Sequence, residues 1–141
     1  AKAKGIPTLF LDAGDFGEGS SYFLSEKGLS SLKALDLLGI DVTVVGNHDY
    51  MLGGKEFARQ IQAAGLKAKI LSANMKQKAN MGLEKLVQDY VDYDIDGLKI
   101  RIMGLSTNEV HFNYPLKPDG KIGPYHRAGI ALAEKSQRDD V

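Results

Sequence analysis

The stretch Val42–Gly54, VTVVGNHDYMLGG, decides how the rest of this chain is read. Val42, Thr43, Val44 and Val45 are rich in β-branching and make a short run suited to a strand buried on both faces. The run ends in Gly46, Asn47, His48 and Asp49, where the chain leaves the sheet. Asn47 offers a neutral amide oxygen, His48 an imidazole that titrates near neutrality and Asp49 a carboxylate. In open α/β sheets ligands bind at that carboxyl-terminal edge. Alone, GNHD is also an ordinary polar turn, because Gly and Asn tolerate positive φ. A second stretch upstream bears on the choice. Thr8 to Leu11 is another apolar run, and it delivers Asp12, Ala13, Gly14 and Asp15 to the same edge of the same sheet.

Between the two runs, Leu29, Leu32, Leu35 and Leu38 recur at every third position, with Ala34 and Leu37 widening the stripe, which predicts a helix covering a sheet. Gly39 is placed to end it in the left-handed conformation. Strand, helix and strand then make a right-handed parallel crossover that sets Asp15 and Asn47 on one rim. The loop from Asp12 to Ser21 contains G-x-x-G-x-G, but the spacing is wrong for a dinucleotide fingerprint, and Asp15 and Glu18 would repel a pyrophosphate. Such a loop is better suited to cations. Glu18 itself reads as a solvated surface acid.

Downstream, Phe57, Ala58, Ile61 and Ala64 form the inner stripe of a second helix that Gly65 ends. Lys69 to Ser72 reads as a third short strand, leading to Asn74, taken as a satisfied turn residue rather than a rim ligand. Lys76 to Lys85 reads as a surface connection. Tyr90 to Asp94 and Leu98 to Met103 flank Asp96 and Gly97, a hairpin signal of the I′ type. The second arm is the more continuously apolar and is expected to return to the sheet. Asn108 to Lys121 is irregular, with Pro115, Pro118 and a turn at Asp119 and Gly120. A last helix is expected from Tyr125 to Gln137, with Ala128, Ala131 and Leu132 inward. His111 and His126 match no ligand motif and read as surface or capping histidines.

The chain has 141 residues, enough for one core, with ordinary apolar and charged fractions. Lys plus Arg equals Asp plus Glu at 18 each, so no overall field steers a polyanion, and a nucleic acid polymer is not an expected partner. There is no run long enough to span a membrane and no signal-peptide pattern at Ala1. Cysteine is absent, which excludes disulfides and thiolate zinc sites and suits either compartment.

LDAGD followed by GEGS, then GIDVTVVGNHD followed by a Gly-rich helix start, resembles the calcineurin-like metallophosphoesterases, and within them the 5′-nucleotidase and UDP-sugar hydrolase branch. The resemblance runs from about Pro7 to Leu105. The family pattern also has a D-x-H motif on an earlier strand and two later His-containing motifs, none of which this sequence contains. The resemblance implies an α/β fold, a layered sheet with parallel βαβ crossovers and a β-hairpin, as an incomplete metallophosphoesterase sandwich. It places residues 1–141 within a single catalytic domain. It implies two divalent ions of the Zn, Mn or Fe type, with Asp15 bridging them and Asn47 binding one. His48 faces the substrate phosphate, and Asp49 serves in catalysis or as the acceptor that holds the loop.

One departure stands out. Many nucleotidases of this branch carry an Asp that pairs with the catalytic His where this chain has Met51, and a thioether cannot hold an imidazolium as a carboxylate does. The implied substrate is a small phosphoester such as a nucleotide. The same scaffold acting on cyclic nucleotides or sulfur esters, or a binding or assembly domain that has lost the site, are the alternatives. By resemblance the location is periplasmic or extracellular. An open strand edge, where the D-x-H strand belongs, is expected to allow a homodimer.

Overall fold

The computed structural model describes residues 4–17, 19, 21–78, 82–109 and 120–139. In chain order these form β1 (Leu11–Asp12), α1 (Ser21–Glu26), α2 (Leu29–Leu38), β2 (Val42–Val44), α3 (Gly54–Ala64), β3 (Lys69–Leu71) and β4 (Met75–Gln77). There follow β5 (Val87–Gln88), β6 (Tyr90–Ile95), β7 (Leu98–Met103), β8 (Gly120–Ile122) and α4 (Tyr125–Arg138). A four-stranded parallel sheet runs β1-β2-β3-β5, with Leu11 opposite Val42, Val42 opposite Lys69 and Ile70 opposite Val87. Two antiparallel pairs, β4 with β8 and β6 with β7, complete a layered α/β fold.

The crossovers follow from local chemistry. Gly39 and Gly65 close α2 and α3 at φ 69° and 63°, where a side chain would be strained and glycine is not. The helices lay Leu32, Phe57, Ala58 and Ile61 against Val45, Ile70 and Val87 of the sheet, forming one buried core that also takes in Tyr50, Met75, Leu83 and Ile122. Each large apolar side chain buried in this way contributes roughly 2 kcal/mol. The I′ hairpin is present, with Asp96 at φ 52° and Gly97 at φ 85°.

Several expectations are corrected. In α2 only Leu32 and Leu35 are buried, while Ala34 faces solvent and Leu37 and Leu38 are 86% and 65% exposed. At about 100° per residue a strict spacing of three drifts by about 60° each step, so Leu38 lies on the face opposite Leu29. The strand expected over 8–11 is assigned at Leu11–Asp12 alone, and Phe10 and Leu11 are half exposed because β1 stands at the end of the sheet order. Residues 76–85 are not a bare surface connection: Lys76 and Gln77 pair in β4, and Leu83 is 1% exposed in the core. The second hairpin arm does not join the parallel sheet. Its exit runs close to the sheet: Gly104 packs on Leu71, and just past β3 the Ala73 N–H donates to the Gly104 carbonyl at 2.8 Å. Gly120 belongs to β8, and 110–119, with His111, Pro115, Pro118 and Asp119 of the expected turn, lie outside the described residues. In α4 Ala131 is exposed and only Leu132 is buried, because the helix touches the body along a narrow stripe. The short α1 and β5 carry too few residues for a periodicity to reveal them.

Candidate active site

Two turns leave the carboxyl ends of β1 and β2, and glycines let them touch. A Cβ on Gly14 would sit 2.5 Å from the Val44 carbonyl oxygen and 2.7 Å from the Gly46 nitrogen; one on Gly46 would overlap the carboxylate and backbone nitrogen of Asp15. Beneath them, Asp12 Oδ2 accepts the Gly14 N–H at 3.0 Å and the hydroxyl of fully buried Thr43 at 2.6 Å. The β1 turn is thereby tied to the neighbouring strand before it reaches Asp15.

Asp49 closes the arrangement. Its carboxylate is 7% exposed and accepts backbone N–H bonds from Gly46 at 2.8 Å, Asp15 at 3.2 Å and Gly17 at 3.1 Å. In return, Asp15 Oδ1 accepts the His48 N–H at 3.0 Å. Each turn therefore supplies the acceptor for the other's backbone. Burial lifts the Asp49 carboxyl to about 6, and the Asp15 charge adds to the rise, while the three N–H donors pull it down. Asp15 sits at φ 60°, a left-handed conformation that Asp tolerates better than most side chains.

The structure brings the sequence-derived residues together. Asp15 is exposed on the rim; Asn47 and His48 are half-buried beside it, with Asn47 lying between Gly46 and His48, both of which touch Asp15. Met51 is 39% exposed in the same turn. Glu18 lies outside the described residues. His126 is exposed on α4 with its ring edge-on to Tyr125, and Asn74 is buried with its amide bonded to backbone. Sequence reasoning missed Tyr50, a fully buried side chain next to Asp49. Burial and the charges of Asp15 and Asp49 push its phenol up to about 12, so it stays neutral. Its position one residue past a polar turn was the available signal, since an aromatic there anchors the turn to the core.

An exposed carboxylate on one turn and an amide-bearing residue on the turn bonded to it offer hard oxygen donors of the kind divalent cations take. Among the described residues no group of three or more His, Cys, Asp or Glu is placed to hold a metal ion. Asp15 and Asn47 therefore fit as part of a ligand set.

A parallel α/β sheet bearing two interlocked acidic turns at its carboxyl edge is the architecture of a metallophosphoesterase domain. No family model matches the chain. The rat (Rattus norvegicus) 5′-nucleotidase is 31% identical over 106 residues, covering 74% of this chain and 18% of that protein. The solved NAD nucleotidase of Haemophilus influenzae superposes with a TM-score of 0.88 at 25% identity, over 99% of this chain and 28% of that one. The Thermus thermophilus 5′-nucleotidase precursor gives 0.87 at 25% identity, over 99% and 27%. This chain belongs to the calcineurin-like metallophosphoesterases, in their 5′-nucleotidase and UDP-sugar hydrolase branch. It spans about a fifth of the length of the curated relatives first matched, at 18%.

Proposed function

We propose that this chain is part of one catalytic domain of a dinuclear-metal phosphoester hydrolase acting on a nucleotide or a similar small phosphoester. The observation that carries the proposal is the reciprocal bonding of the Asp15 turn with the GNHD turn, which supports a shared site for Asp15, Asn47 and His48. Asp15, with two carboxylate oxygens, is suited to bridge two ions, and Asn47 to bind one. When bound, the ions supply Lewis acidity and a water of lowered pKa at the phosphate. His48 faces the phosphate, where its imidazole stabilises developing charge or gives a proton to the leaving oxygen. Asp49, its carboxylate occupied by backbone donors, holds the two turns in register rather than touching substrate. Among the described residues no helix is long and apolar enough to cross a membrane. We place the whole protein in the periplasm or outside the cell on the family resemblance, and the half-exposed Leu11 of β1, with Ile6 and Phe10 in the segment before it, supports strand pairing with a second copy.

His48→Asn in the full-length protein tests the proposal. The expected result is a fall in kcat of about 10²- to 10⁴-fold with metal content retained. Unchanged kcat overturns it in favour of a binding or assembly module, the reading that Met51 favours. The chain alone is expected to bind Mn²⁺ or Zn²⁺ weakly and not to turn over p-nitrophenyl phosphate. Tight stoichiometric metal with turnover would show the missing motifs to be dispensable.

A further inference from the structure

Behind the GNHD turn lies a buried polar knot. Ser72, Asn74 and Ser106 are 2%, 2% and 3% exposed, and each is hydrogen-bonded. Asn74 holds Ser106 at both ends of its backbone: Oδ1 accepts the Ser106 N–H at 2.9 Å and Nδ2 donates to the Ser106 carbonyl at 2.7 Å. The Ser106 hydroxyl in turn donates to the Val45 carbonyl at 2.6 Å. Its one hydrogen is committed there, so at the 2.7 Å contact with Ser72 the Ser72 hydroxyl is the donor.

The Val45 carbonyl is one end of a peptide plane whose other end is the Gly46 N–H, which donates to Asp49 at 2.8 Å. Because that plane is rigid, any rotation that releases one end releases the other. Gly46 has no side chain to resist such a rotation, so the plane is fixed by Ser106 on one side and Asp49 on the other. Resting on the metal-dependent function proposed above, we infer that Ser106 is a positioning residue for the site: its hydroxyl sets the Val45–Gly46 peptide, which leads into the turn that bears Asn47 and His48.

The test titrates Mn²⁺ into the 141-residue chain, read by relaxation enhancement of water protons. The Gly46 amide resonance and urea unfolding are measured on the same samples. Ser106→Ala is expected to move the Gly46 resonance and raise the Mn²⁺ half-saturation about fivefold, the scale of one lost buried hydrogen bond, where the chain remains folded. Ser72→Ala, which removes a bond of the same knot without touching Val45, is expected to lower stability and leave the half-saturation unchanged. If Ser106→Ala lowers stability but moves neither the resonance nor the half-saturation while Asp15→Asn does weaken Mn²⁺, Ser106 has no positioning role and the proposed function stands. If Asp15→Asn leaves Mn²⁺ binding unchanged, both are overturned. Should Ser106→Ala not fold, Ser106→Cys, of similar size with a weaker donor, must shift both readouts in the same direction; unmoved readouts overturn the inference.

Discussion

Two regions of this molecule use one charged side chain to tie distant segments, and they do it in opposite ways. At the rim of the sheet, buried Asp49 collects three backbone N–H groups from two turns. Elsewhere, Arg101 on β7 reaches Asp92 on β6 through two bonds of 2.7 Å, and Ser136 of α4 and Asp139 at its end at 3.1 and 3.2 Å, with its guanidinium 4.1 Å from the Tyr90 ring centroid. Backbone donors cannot change rotamer, whereas every partner of Arg101 is a side chain, and its two acid partners are 45% and 40% exposed. The first arrangement fixes geometry; the second docks a helix.

Removing the acceptor is the most damaging way to break the first region. Asp49→Ala leaves three N–H groups facing an apolar side chain and is expected to lower the unfolding free energy by about 3 kcal/mol in urea titrations. Gly46→Ala attacks the same contact by bulk. Its methyl displaces Asp15, and a loss of about 2 kcal/mol with weakened Mn²⁺ binding is the expected outcome. Arg101→Ala sharpens the contrast, because amide exchange along α4 is expected to quicken while Mn²⁺ binding to the chain stays as it was.

The smallest effect belongs to Glu56, which bonds Arg59 at 2.6 Å and Gln60 at 2.7 Å. The hydrogen bond from Arg59 is the main cause that lowers its carboxyl to about 2. A depressed carboxylate stabilises the fold above its ordinary value, and that contribution is lost as pH falls through the window from about 4.5 to about 2. Unfolding of Glu56→Gln compared at pH 7 and pH 3 is therefore expected to show a slightly smaller acid-induced loss than the parent chain.

What was legible in the sequence is what is decided locally. The glycines that end α2 and α3, the Asp96 and Gly97 turn, and the β-branched run before GNHD each follow from the preferences of a few adjacent residues. That the Asp15 turn meets the GNHD turn was legible too, because two apolar runs joined by one crossover become parallel neighbours whose ends share an edge. The partners of Asp49 were not, since two of its donors lie 34 and 32 residues away and a backbone N–H carries no residue-type signature. The same holds for Ser106, whose carbonyl acceptor at Val45 is 61 residues distant. Leu37 and Leu38 misled because leucine reads as core whatever its angle around the helix.

The parallel register also dictates an order of assembly. Leu11 must find Val42 across a whole crossover, whereas Ile95 and Leu98 meet across a two-residue turn. Closing the longer loop carries the larger entropic cost, so stopped-flow refolding is expected to show the hairpin forming before the two acidic turns unite. The meeting of the two acidic turns therefore depends on contacts that only the completed crossover supplies, which makes it sensitive to any change that slows the docking of α2.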